Sequence, residues 1–324
     1  MPVCRLLALL LLVLCAAVPA IRLWGEEPTT AEAPAEKSNA QAGEAKPDAK
    51  ADDNKTKFIR IRRGEDKKPL ALETAIVRYV PEEGDKPVVV DLIGAVHVGD
   101  KSYYDELNKR FEDYDVLLYE LVAPPGAKIP KGGRGGNSSG HPVGAMQDGL
   151  KTVLELDHQL DLIDYTADNF VHADMSPEEF SKTMADRGES FMQMFFRLMG
   201  QGAAQQATGG GSNDLGMLMA LFSRDRAQRM KVIMAEQFEN LEGQMAAFDG
   251  PEGSTIITER NKKAFEVLDR QLKNGKTKIG VFYGAGHLPD MEERLLNDFK
   301  MKRSDQEVQW VRAWSLESKK PKSK

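Results

Sequence analysis

One short pattern, used twice, constrains this chain more than any other feature. Val88-Val89-Val90-Asp91-Leu92-Ile93 runs into Gly94-Ala95-Val96-His97, and Lys278-Ile279-Gly280-Val281-Phe282-Tyr283 runs into Gly284-Ala285-Gly286-His287. Each is an apolar run of strand length, then Gly-x-x-His, then a helical pattern. The copies stand far apart, so they are not a tandem repeat. Glycine before the histidine lets the backbone turn off the strand and approach another chain or a ligand closely. After His97, Tyr104, Leu107, Phe111 and Tyr114 fall on one helical face, and Asp115 to Leu121 reads as a buried strand. Strand, helix, strand in that span is a βαβ unit with parallel strands. His97 and Glu120 then stand at the C-terminal ends of their strands, the edge where open α/β sheets bind ligands. The second motif, a helix from Pro289 to Phe299 and a strand from Val308 to Trp314 predict a second βαβ unit.

The remaining segments fit an α/β (α+β) fold: a mixed sheet built from both ends of the chain, with an all-helical insertion at about 143–273. Phe58–Arg62 alternates like a half-buried strand, and Leu70–Tyr79 is a second strand. Pro124–Gly140 and Gln201–Asn213 are Gly-rich loops. Val143–Leu156 and Leu215–Phe222 read as helices, and Leu160–Tyr165 as a third strand. Ser176-Pro177-Glu178-Glu179 starts a helix expected to run to Met199. Arg226–Phe248 is amphipathic throughout, and Ser254–Leu272 is the next helix.

Residues 1–25 read as a signal peptide: Arg5, an apolar run from Leu6 to Val18, then Val18-Pro19-Ala20 for cleavage. Residues 26–57, rich in Ala, Glu, Lys, Pro and Asp, read as a disordered linker, and 317–324 as a basic tail after the domain at 58–316. The protein is expected to be secreted or periplasmic, with no stable membrane span once the signal is cleaved, and membrane-tethered if it is retained. Both cysteines, Cys4 and Cys15, lie in the signal segment, so any metal would be held by His, Asp and Glu. A net charge of -6 argues against nucleic acid as the main partner.

If the two βαβ units are neighbours, His97, Glu120 and His287 meet at one sheet edge. Two imidazoles and a carboxylate suit a divalent metal with an open position. The competing reading makes the histidines cap or hydrogen-bonding residues and Glu120 a rim carboxylate or the partner of an arginine. Ile257, Ala264 and Leu268 define the inner face of the helix from Ser254, and Arg260 and Asn261 fall near it. A cation there needs a bound anion or a salt bridge. Tyr104 either orients a ligand or belongs to the core stripe. His141, His158 and His172 read as surface or structural residues, and Asp164, Tyr165 and Asp174 as rim positions. The methionines from Met184 to Met245 suit a loosely specified helical core, a lid or a peptide groove.

Ile93-Gly94-Ala95-Val96-His97, the Tyr104 helix, Val116-Leu117-Leu118-Tyr119-Glu120, Glu259-Arg260-Asn261 and Gly284-Ala285-Gly286-His287-Leu288-Pro289 together resemble the TraB/PrgY/GumN family. That family is related to the Tiki proteases and, more remotely, to erythromycin esterase-like and ChaN-like proteins. The resemblance covers about Phe58 to Trp314. It implies a metal-dependent hydrolase, in particular a peptidase, acting on a peptide or small-molecule substrate. His97, Glu120 and His287 would surround a divalent metal (Zn, Mn, Co or Fe), with Glu120 as ligand or general base. Arg260 would support the site or hold substrate, with Tyr104, Asn261, Gly94 and Gly284 as supporting or substrate-binding positions. Other relatives imply an alternative: peptide or haem sequestration without turnover on the same scaffold.

Overall fold

The computed structural model describes residues 57–84, 87–127, 129–130, 154–190, 223, 225–239 and 252–317. The expected signal peptide, linker and basic tail lie outside these residues, except Lys57 and Glu317. So do the helix at Leu215–Phe222, the loop at Gln201–Asn213, and most of the helix at Val143–Leu156.

The core is one eight-stranded mixed sheet with helices, an α+β arrangement. Its spine is β2 (Pro69–Pro81), thirteen residues long and buried without a break from Ala71 to Val77, with Glu73 and Thr74 among the apolar side chains. Along one edge β2 pairs antiparallel with β1 (Ile59–Arg63) and then with β3 (Val89–Ala95). Along its other edge it pairs with β10 (Gln309–Ser315) and β9 (Met301–Arg303). Beyond β3 the sheet becomes parallel: β3 pairs with β8 (Lys278–Gly284), β8 with β5 (Val116–Tyr119), and β5 with β7 (Phe170–His172). The apolar runs of both Gly-x-x-His motifs are thus adjacent strands, in register from Val89 opposite Lys278 to Ala95 opposite Gly284.

Helix α1 (Lys101–Phe111) makes the crossover from β3 to β5 and turns Tyr103, Tyr104, Leu107 and Phe111 inward. Phe111 meets Phe282 of β8 with ring centroids 4.8 Å apart and Phe170 of β7 at 5.7 Å. Such a ring contributes about 1.5–3 kcal/mol through burial. The short α2 (Gln159–Leu162) precedes β7, and α3 (Pro177–Asp186) follows it, with Ser176 and Glu179 forming the expected capping box. Helix α4 (Arg226–Glu239) buries Met230, Met234 and Phe238, and Phe238 meets Trp314 edge-on at 5.3 Å. Helix α5 (Arg260–Lys273) leads into β8, and α6 (Leu288–Asn297) leaves it. Among the described residues no helix is long and apolar enough to cross a membrane.

Several sequence expectations are corrected. The second βαβ unit does not close on itself: β10 pairs with β2, so β3 and β2 separate it from β8. The segment Leu160–Tyr165 is the helical turn α2 and a loop, not a strand. Asn108 ties it down, donating to Leu162 O at 2.8 Å and accepting from Asp164 N at 3.1 Å. The real strand is β7, which joins the sheet, so the insertion is not all-helical. Helix α3 stops at Asp186 rather than continuing toward Met199, because Gly188 takes φ 63°. A further correction concerns Gly94, which lies within β3 and does not turn the chain. A Cβ there would come 3.3 Å from both Ala75 O and Phe58 O, so its role is close strand contact.

Candidate functional site

Interposing β8 between β3 and β5 assembles the site. His97 follows the end of β3, Glu120 is the first residue after β5, and His287 closes the 3-10 turn Ala285–His287 after β8. Gly284 marks their convergence. A Cβ built on it would lie 3.2 Å from Glu120 Oε2, 3.6 Å from His97 Nε2 and 3.8 Å from His287 Cδ2. The neighbourhood assumed in the sequence reading therefore exists. With no side chain at Gly284, the space between the three groups stays open.

Glu120 is 7% exposed, and both its oxygens are held. Oε2 accepts the Gly284 N–H at 2.7 Å, and Oε1 accepts from Arg260 Nη2 at 2.7 Å. Burial works to raise its pKa. Arg260, His287, His97 and the Gly284 amide together outweigh that burial, and the carboxyl is held well below the ordinary range. Glu120 is ionised at neutral pH.

Arg260 is fully buried and lies at the start of α5. It follows a five-residue π-helical turn, Thr255–Glu259, of a kind found often at functional sites. Asp174 grips it side-on: Nε donates to Oδ1 at 2.9 Å and Nη2 to Oδ2 at 2.6 Å. Burial opposes the charge, yet Asp174 and Glu120 raise the guanidinium pKa further. Nη1 makes no carboxylate bond and stands 3.5 Å from His287 Nε2. Arg260 is thus salt-bridged through two nitrogens and faces the ring of His287 with the third.

His287 is 5% exposed. Nδ1 lies 2.7 Å from Asn261 Oδ1, and Nε2 lies 3.5 Å from Glu120 Oε1. Burial pushes its pKa down to about 4 against the pull of Glu120, so the ring is neutral at physiological pH. His97 is half-buried, with Nδ1 3.2 Å from Gln159 Oε1. Asn261, fully buried, also donates to the carbonyl of His287 and to Asp290.

The other expected residues divide. Tyr104 is fully buried and donates to Val96 O at 3.0 Å, so it steadies the His97 loop from the core side. Tyr165 and Asp174 are buried rather than at a rim. His172 bonds to Leu121 O at 2.5 Å and is structural, as expected. His158 lies in the short β6 (Asp157–His158), paired with β4 (Val98–Gly99); His141 is outside the described residues. The sequence reading missed Gln159 and Asp290 and undervalued Asp174. Asp174 carried one usable signal: an arginine on an apolar helix face demands a buried carboxylate.

The donor set suits a divalent cation chemically, with two imidazoles, one carboxylate and no thiolate. The 3.5 Å between His287 Nε2 and Glu120 Oε1 is close to the edge of a tetrahedron with bonds of about 2.1 Å, itself about 3.4 Å. Two buried carboxyl groups, those of Glu120 and Asp174, share the one guanidinium of Arg260. Among the described residues no three His, Asp or Glu side chains stand close enough to form a ready ion cage. A cation there would take His287 and Glu120 first, with His97 as the third donor.

No protein-family model matches the chain, and no curated protein or solved structure matches it.

Proposed function

We propose that this protein is an exported metal-dependent hydrolase of the TraB/Tiki kind, acting on peptide bonds or related carbonyl substrates. The observation that carries this reading is the convergence of His97, Glu120 and His287 around Gly284 from two distant parts of the chain. A bound divalent cation supplies a water nucleophile near neutral pH and polarises a carbonyl. His287 is neutral, as a ligand nitrogen must be. Glu120 is ionised, so it can hold a cation. Arg260 Nη1 makes no carboxylate bond and meets His287 Nε2 only at 3.5 Å, so it is the guanidinium donor that would turn to charge developing on a substrate oxygen.

The test is to load the purified chain with Zn, Mn, Co or Fe, measure bound metal, and assay a peptide and ester panel with and without chelator. Hydrolysis that chelator abolishes and that His97→Ala and His287→Ala each reduce by at least about a hundredfold supports the reading. A wild type that takes up no metal, with both variants cleaving as it does, refutes it. A second reading, sequestration of a peptide or haem without turnover, draws on Glu120 already having both oxygens engaged. A haem absorption band lost in His97→Ala, with no cleavage of any substrate, would favour it.

A further inference from the structure

Both site histidines meet a side-chain amide at Nδ1, although the amides come from unrelated parts of the chain. Asn261 opens α5, and Gln159 opens α2. At Asn261 the orientation is settled by what surrounds it. Nδ2 donates to two acceptors, His287 O at 3.0 Å and Asp290 Oδ2 at 2.8 Å. The end facing the ring is therefore oxygen, which only accepts, so His287 Nδ1 carries the proton and Nε2 the lone pair. Asp290 is fixed in turn by Arg294, whose Nε and Nη2 donate at 2.7 and 3.0 Å. A four-residue line, Arg294–Asp290–Asn261–His287, thus runs from the side of α6 into the site.

Gln159 repeats the device. Its Nε2 donates to Tyr165 OH at 2.8 Å, its backbone N–H donates to His97 O at 2.9 Å, and Oε1 faces His97 Nδ1. Gln159 is 5% exposed, too buried for its amide to be serving solvent. An amide orients an imidazole without placing a third carboxylate beside Glu120 and Asp174.

We infer that Asn261 and Gln159 are paired positioning residues. Each holds its histidine as the Nδ1–H tautomer, which leaves the Nε2 lone pair of His97 beside Gly284 and that of His287 toward Arg260 Nη1 and Glu120 Oε1, and Asp290 fixes Asn261. Partners of this kind set tautomer and orientation at metal-ligating histidines elsewhere. The use of the device rests on the hydrolase reading; its existence does not.

Long-range proton–nitrogen correlation spectra of the 15N-labelled full chain, stripped of metal with chelator, report each tautomer directly. In the wild type both rings are expected as Nδ1–H. Asn261→Leu should move His287 toward Nε2–H and leave His97 alone, and Gln159→Leu should do the reverse. Asn261→Asp, which still accepts from Nδ1, should keep the wild-type signature. Asp290→Ala should give His287 a mixture. Titrated with Zn alone, each Leu variant should bind about 10–100-fold more weakly. If Asn261→Leu does not fold, the wild-type spectrum and Gln159→Leu decide. Either histidine found as Nε2–H in the wild type overturns the inference, as does a folded Leu variant with an unmoved tautomer. Correct tautomers with no hydrolysis would refute the hydrolase reading alone; hydrolysis with wrong tautomers would refute this inference alone.

Discussion

Replacing Arg260 by Met tests the charge arrangement most severely. The guanidinium has no solvent exposure and joins Glu120 and Asp174, themselves 5% and 0% exposed at the side chain. Removing one member of a buried ion group strands the others, and the cost is about 3–5 kcal/mol. Met fills similar space, so little of that loss is cavity. The pH dependence separates this cause from generic damage. In the wild type Glu120 sits below its unfolded pKa, so its contribution is complete above the ordinary carboxylate range and is lost only as pH falls through the folded value. Without Arg260 the burial that opposes its charge loses its largest compensation and keeps only His287, His97 and the Gly284 amide against it, and the folded pKa should rise above the unfolded one. The group then favours the folded state at low pH, and that stability disappears as pH rises. The gap between variant and wild type should therefore narrow on going from pH 8 to pH 5, by up to about 1.4 kcal/mol per unit below the new pKa. Urea unfolding followed by tryptophan fluorescence, with buried Trp314 as a reporter, measures it. A gap under about 1 kcal/mol, or one that does not change with pH, would refute the reasoning.

Two glycines of β8 should separate packing from chemistry. At Gly280 a Cβ would lie 2.5 Å from Leu117 Cδ1, so Gly280→Ala should cost about 1–3 kcal/mol in thermal unfolding and leave turnover of the folded fraction unchanged. Gly284→Ala places a methyl 3.2 Å from Glu120 Oε2; stability should fall by less than about 1 kcal/mol, while kcat/KM falls by about a hundredfold. The opposite ranking would place the critical contact in the core. His287 has a folded pKa of about 4 against an ordinary 6.5, so its unfolded form gains a proton first as pH falls. Stability from this group is complete above pH 6.5 and should drop by up to about 3 kcal/mol by pH 4. His287→Gln should lack that part of the acid decline in a pH series of melting temperatures, and a parallel curve would count against a buried neutral ring.

How much of this was legible depends on whether the signal is local. The apolar runs of β3, β5 and β8 and the inward stripe of α1 reflect burial of each element on its own and can be read from periodicity. Leu160–Tyr165 alternates like a strand, yet Leu160 is 38% exposed and the side chain of Asn108 holds the segment in a turn. That bond comes from α1, which no window around Leu160 contains. Similarly, Arg260 announced a need for an anion but not which one. Asp174, eighty-six positions away, is chosen by where β7 ends. Gln159 carries no signal at all, since a glutamine opening a short helix looks like any surface residue until His97 is placed beside it.

The strand order ties the candidate site to completion of the sheet. β3 and β5 both pair with β8 and not with each other, although they are consecutive through α1. Until β8 inserts, β3 has no parallel neighbour and β5 has only β7, and Glu120 lacks its bond from Gly284 N. The segment that brings β8 also brings Arg260 and Asn261 on α5 and His287 beyond the strand. Most of the groups that settle Glu120 thus arrive in one stretch of chain, Arg260 to His287, docking between strands formed much earlier in the sequence. A partly folded chain that buried Glu120 would bury it without donors, which is costly. The same contacts that would organise chemistry at Gly284 therefore also disfavour incomplete forms of the sheet, and the central charged residues cannot be replaced for one purpose without weakening the other.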